Sequence, residues 1–111
     1  MRRMRVFVTG GTGFTGAALV ERLLRDGHDV LSLDKQPGLF DEELGEAGAQ
    51  LVYGSITDRD LVAKCSQGAE VVMHLAAAFR EIGVADAVYR EVNVQGTQIV
   101  AEEALRARAC K

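Results

Sequence analysis

No run of consecutive apolar residues in this chain of 111 residues approaches the roughly 18 that a helix needs to cross a bilayer, so no membrane span is expected. Arg2 and Arg3 are not followed by an apolar stretch and a small-residue cleavage site, which removes a targeting segment and leaves the cytoplasm as the expected compartment. Met4 offers a second start, with residues 1–3 as a short extension. Cations are in deficit: 13 Lys and Arg against 16 Asp and Glu give a net charge of −3. They are also scattered, so the basic face that a nucleic-acid backbone requires is missing and no nucleic-acid partner is expected. Cysteine is scarce. Cys65 and Cys110 are far apart and form no CxxC, so reduced, unligated thiols are expected. No His or Cys stands beside Asp41, Glu42, Glu43 and Glu46, and this acidic run reads as a solvated helix face rather than a metal site.

What is present is the composition of a globular protein, 48% apolar and 26% charged, with length for one core; residues 1–111 are expected to form one domain. The most informative segment is RVFVTGGTGFTG, Arg5 to Gly16, an apolar strand that runs directly into Gly10, Gly13 and Gly16. A phosphate needs backbone N–H groups that it can approach closely, and a helix N-terminus supplies unpaired N–H groups and the positive end of the macrodipole. In that arrangement Gly10 allows the tight turn, Gly13 the close approach to phosphate, and Gly16 the close packing of the helix on the sheet. Phe14 and Thr15 lie in the same junction. Asp34 closes a second apolar run, Val30 to Leu33, and stands 18 residues beyond Gly16, close to the offset of a carboxylate that accepts ribose hydroxyls.

Helical periodicity follows the junction, with Phe14, Ala17, Val20, Leu23 and Leu24 on one face and Glu21, Arg22 and Arg25 on the other, ending at Gly27. His28 is expected to cap or solvate the turn before strand two. Gln36, Pro37 and Gly38 break the chain, and residues 39–47 form a short acidic helix. Gln50 to Tyr53 is a third strand, and a helix from about Asp58 to Cys65 has Thr57 or Asp58 as its cap. Glu70 to Ala77 is the longest apolar run between turn signals, the pattern of a strand in the sheet centre; His74 within it reads as a packed residue before a catalytic base. A long final helix is expected from Asp86 or Ala87 to about Arg108.

Strict alternation of strand and helix implies an α/β fold with a Rossmann-type doubly wound parallel sheet, about four strands in order 3-2-1-4, with right-handed crossovers. The ligand crevice then lies between strands one and four, with Gly10 to Gly16 on one lip and Ala76 to Phe79 on the other.

TGGTGFTG at Thr9 to Gly16, HLAA at His74 to Ala77 and NVQGT at Asn93 to Thr97 resemble, in order and spacing, the extended short-chain dehydrogenase/reductase family of NAD-dependent epimerases and dehydratases. By that resemblance Gly10, Gly13 and Gly16, with Phe14 and Thr15 between them, line the pyrophosphate; Asp34, with Lys35 beside it, holds the adenosine ribose; and Leu75, Ala76 and Ala77 line the cofactor wall. Ser55 and Ile56 match the loop beside the adenine, where the family usually has Asp in place of Ser55. Asn93 matches the family asparagine after strand four. The family works with a Tyr and a Lys four residues later. Here the tyrosines are Tyr53 and Tyr89, and four residues beyond them stand Thr57 and Asn93, so no catalytic residue is expected in this chain.

The resemblance therefore implies the NAD-binding part of an epimerase, dehydratase or reductase acting on a sugar nucleotide or a related carbonyl or hydroxyl compound, truncated before strand five and not catalytic alone. NAD is expected over NADP because Asp34 repels a 2′-phosphate, although Lys35 is a nearby cation. A second reading is a stand-alone NAD-sensing module that associates with a partner or with itself through an exposed strand-four edge. A third is a complete small enzyme using His74 with a carboxylate.

Overall fold

Strands that alternate large apolar residues between two faces must be covered on both, and the four strands here are. A computed structural model describes residues 3–11, 14–75 and 95–106. The order is β1 (Arg5–Thr9), α1 (Phe14–Arg25), β2 (Asp29–Asp34), α2 (Asp41–Glu46), β3 (Gln50–Tyr53), α3 (Arg59–Ser66), β4 (Val71–His74) and α4 (Thr97–Arg106). All the strands are parallel and lie in the order β3-β2-β1-β4. Register places Val6 beside Val30 and Val71, and Phe7 beside Leu31 and Val72.

The pleat divides the core in two. Phe7, Leu33 and Val72 face Val62 and Cys65 of α3 and Ile99 and Val100 of α4. Val6, Val8 and Val30 face Ala17 and Val20 of α1 and Leu44 of α2. Helix α1 buries Ala17 and Val20 on the expected stripe and exposes Glu21, Arg22 and Arg25. Gly27, at φ 90°, ends it: Gly27 N–H donates to the Leu24 carbonyl and His28 N–H to that of Leu23, a reversal that favours glycine. Burial pushes the Cys65 thiol above its ordinary pKa, which keeps it protonated. Cys110 lies outside the described residues.

Several expectations need correction. The strand read as Glu70 to Ala77 is β4, Val71–His74, and among the described residues it stands at one end of the sheet, hydrogen-bonded to β1; β1 and β2 are the inner strands. Continuous apolarity signals cover on both faces, not position in the strand order. His28 is not solvated: it is buried, and its Nδ1 accepts the Met4 N–H at 3.1 Å, fastening the turn to the start of β1. Of the acidic run, Glu42, Glu43 and Glu46 are solvated, but Asp41 turns inward and accepts hydrogen bonds from Gly38 N–H and the Tyr53 hydroxyl. The described part of the final helix is Thr97–Arg106; residues 86–94, where the helix is expected to begin, lie outside the described residues.

Asp58 rather than Thr57 caps α3, accepting the Leu61 N–H at 3.3 Å. Asp58→Ala is expected to cost about 1 kcal/mol, measurable as a lower urea midpoint, while Thr57→Ala should cost less. Helices α3 and α4 are tied by Arg59, which donates to Glu102 and, at 2.9 Å, to the buried Glu103. Arg106 lies 3.4 Å from the same Glu103 carboxylate, so the buried charge is paired.

Candidate cofactor site

A parallel sheet points all its strand C-termini to one end, and the expected site residues among those described gather there. Beyond the last register pair of β1 and β2, Thr9 with Leu33, come Gly10 on one strand and Asp34 on the next. Gly10 turns at φ 78° and its N–H donates to the Leu33 carbonyl at 2.9 Å. That amide completes the ladder. Gly10 therefore supplies the turn, and donors for an anion must come from the amides that follow.

Those at the start of α1 are suited. Helix α1 begins at Phe14, so the first-turn amides, Thr15 and Gly16 among them, have no intrahelical acceptor. Gly16 is buried, and a Cβ there would lie 2.7 Å from the Gly11 Cα and 2.9 Å from the Gly10 carbonyl carbon, closer still to that carbonyl oxygen. The helix N-terminus is thus held against the strand-end backbone as only glycine permits. Thr15 is exposed at the same end. Gly13 and the Phe14 side chain lie outside the described residues.

Gly11 was missed by the spacing rule, which reads only the first, fourth and seventh positions of the motif. A Cβ there would run into Ser32 Oγ and lie 3.0 Å from Val20 Cγ2. Ser32 Oγ is fully buried and has no hydrogen-bond partner.

Asp34 is half-buried at the end of β2. Its Oδ1 accepts the Lys35 N–H at 2.8 Å and its carbonyl accepts the Gly54 N–H at 2.8 Å, which fixes where the carboxylate stands. The Lys35 side chain is exposed. In the next loop Ser55 Oγ accepts the Thr57 N–H at 3.1 Å and lies 2.7 Å from Thr57 Oγ1, so this hydroxyl is already used within its turn. Ile56 is buried in the α3–α4 core against Gly96, which leaves its main chain as what a ligand could meet.

On the β4 lip, Leu75 N–H donates to both the carbonyl and Oγ1 of Thr9, at 2.9 and 3.1 Å, and its side chain is exposed. Ala76, Ala77, Phe79 and Asn93 lie outside the described residues. His74 spans the crevice floor, with Nδ1 2.6 Å from Thr9 Oγ1 and Nε2 2.9 Å from Thr97 Oγ1. Burial pushes its pKa below the usual imidazole range, so the ring is neutral at neutral pH. The hydrogen bonds of the ring go to hydroxyls, not to a carboxylate, and the geometry is that of a strut between β1, β4 and α4 rather than a general base.

Among the described residues no group of three His, Cys, Asp or Glu could hold a metal ion, and no helix is long and apolar enough to cross a membrane. A hollow lined by Arg5, Asp29, Gln50 and Gln67 opens at the opposite end of the sheet, where strands start and no helix N-terminus of a crossover points. The crevice at the strand C-termini fits a dinucleotide better: a glycine cradle that a Cβ would fill, first-turn amides and a fixed carboxylate.

Comparison with known proteins agrees with this geometry. The sequence matches the NAD dependent epimerase/dehydratase family over residues 6–111. It is 40% identical over 100 residues to the 3 beta-hydroxysteroid dehydrogenase/Delta 5-->4-isomerase of Mycobacterium tuberculosis, covering 85% of this chain and 26% of that protein. It is also 40% identical over 108 residues to the UDP-glucose 4-epimerase of Mycolicibacterium smegmatis, covering 91% of this chain and 34% of the other. The Bordetella bronchiseptica enzyme WbmG, solved in complex with NAD and UDP, superimposes with a TM-score of 0.82 at 33% identity, covering 97% of this chain and 36% of WbmG. The chain thus spans about a quarter to a third of the length of these relatives. With the family pattern matched from residue 6 to residue 111 and its Rossmann-like sheet order present, the chain belongs to the NAD-dependent epimerase/dehydratase family.

Proposed function

We propose that this chain is the NAD-binding part of an NAD-dependent epimerase, dehydratase or reductase, holding the cofactor's pyrophosphate at the Gly10–Gly16 junction and its adenosine ribose at Asp34. The observation that carries this reading is that the Gly10 turn, the N-terminus of α1 and the Asp34 carboxylate share one end of the sheet in a chain of an NAD-dependent family. The first-turn amides and the dipole of α1 favour the diphosphate, and a fixed carboxylate accepts from vicinal ribose hydroxyls. Gly13, Ala76, Ala77 and Asn93 belong to the same proposed contact set. When bound, NAD would supply hydride transfer; the residues of this chain would hold its ADP-ribose half. Asp34 repels a 2′-phosphate, so NAD is favoured over NADP.

The substrate class of the whole enzyme is a sugar nucleotide or a related hydroxyl or carbonyl compound. No Tyr is followed four residues later by Lys in this sequence, so the chain binds without turning over. In a calorimetric titration, NAD and ADP-ribose are expected to bind with dissociation constants within about three-fold of each other, since the contacts named here lie on the shared ADP-ribose half. Absence of heat for both ligands at millimolar concentration would refute the reading.

A further inference from the structure

The contacts of Asp41 are not accounted for by its place on an acidic helix. Asp41 is seven residues beyond Asp34, yet its Oδ2 accepts the hydroxyl of Tyr53, the residue paired in register with Asp34 on the neighbouring strand. The same Oδ2 accepts the Gly38 N–H at 2.9 Å. Residues 35–40 therefore form an arch whose anchors include the Lys35 amide on the Asp34 carboxylate and the Gly38 amide on the Asp41 carboxylate. Register partners in a parallel sheet project to the same face, so the Tyr53 ring stands beside Asp34, with its hydroxyl turned to α2.

The other oxygen, Asp41 Oδ1, is buried with no hydrogen-bond partner. The charge on that oxygen is not offset by a hydrogen-bond donor of its own. The hydrogen bond to Asp41, then burial and the charges of Asp41 and Asp34, push the Tyr53 phenol above its ordinary pKa. The raised value keeps the phenol a donor throughout the neutral range, and the contact is lost only as pH rises through that value.

We propose that the Tyr53–Asp41 clasp is a positioning device for dinucleotide choice: it holds the 35–40 arch and a second carboxylate, one oxygen of which has no donor, on the Asp34 side of the sheet end, so that a 2′-phosphate is rejected more strongly than Asp34 alone would reject it. The inference rests on the placement of the adenosine ribose at Asp34 proposed above. It assigns no ligand contact to Asp41. Tyr53 and Asp41 act through the shape of the arch and through charge. Tyr53→Phe releases the Asp41 carboxylate from β3 and leaves it held by the Gly38 N–H alone; Asp41→Asn keeps the volume and removes the charge.

Calorimetric titration of NAD and of NADP against the unaltered protein and both variants tests this. In each variant the NADP-to-NAD ratio of dissociation constants is expected to fall about three- to ten-fold, while the thermal midpoint moves by a few degrees at most, since Tyr53 is 45% exposed. A ratio equal to that of the unaltered protein in both variants would overturn the clasp's role whatever happens to the melting temperature. Failure of the unaltered protein to bind either cofactor would instead sink the placement at Asp34 and the clasp with it.

Discussion

Gly16→Ala is expected to destabilise the protein by about 3 kcal/mol or more, the upper end of what overpacking a close-packed site costs. Gly→Ala inside a helix ordinarily gains about 0.5–1 kcal/mol, because glycine loses more backbone freedom on folding. Gly16 lies inside α1, so propensity alone favours alanine. Sterics oppose it and win. The Cβ would meet the Gly10 carbonyl group and, at 2.7 Å, the Gly11 Cα, all main-chain atoms. A side chain in the way can rotate, but these atoms are held by the ladder bond from Gly10 to Leu33 and by the burial of Gly11 over Ser32. Relief requires α1 to lift from the sheet, which opens the packing of Ala17 and Val20 on Val6 and Val8. Gly45→Ala in α2 is the matched control: nothing lies within 4 Å of the added Cβ and no positive φ is involved, so it should raise stability by about 0.5–1 kcal/mol. Urea denaturation of the two variants should give midpoints shifted in opposite directions. Shifts of the same sign would mean that the α1–loop contact is looser than described.

The sheet order and β3 were legible in the sequence because apolar runs, glycines and helical stripes are local signals, and strict alternation admits few topologies. The Asp34 position was legible for the same reason, as the acid closing a short apolar strand. What was not legible depends on pairing across long sequence separations. Nothing local to His28 says that its ring will accept the Met4 amide. Nothing local to Asp41 distinguishes it from Glu42 and Glu43, yet it alone of the three reaches Tyr53 on β3, and only the fold brings them together. Nothing local to Glu103 says that it will be buried in the α3–α4 seam, where Arg59 and Arg106 pair with it. Gly11 escaped because the spacing rule selects glycines by period, while the need at Gly11 comes from Ser32 and Val20 behind it.

Asp34→Asn is expected to weaken NAD binding about ten- to hundred-fold, the 1.5–3 kcal/mol of hydrogen bonds to a charged acceptor, while NADP loses little or gains. Asparagine separates charge from shape. Its Oδ1 can still accept the Lys35 N–H that the carboxylate accepts at 2.8 Å, so the strand end and the arch that follows keep their anchor. What is lost is the second anionic acceptor for the ribose and the repulsion of a 2′-phosphate; in its place the side chain presents an N–H₂ group that can donate to phosphate. Lys35, exposed next door, then contributes attraction that Asp34 no longer offsets. The preference for NAD should therefore shrink by at least about ten-fold, more than for either clasp variant, because Asp34 would touch the ribose and Asp41 acts at one remove. Raising the ionic strength should narrow the effect for NADP more than for NAD, since the charge on the extra phosphate is screened over a Debye length of about 8 Å at physiological salt. If Asp34→Asn weakens both cofactors equally, the carboxylate holds the loop and not the sugar, and the ribose must be placed elsewhere along the crevice.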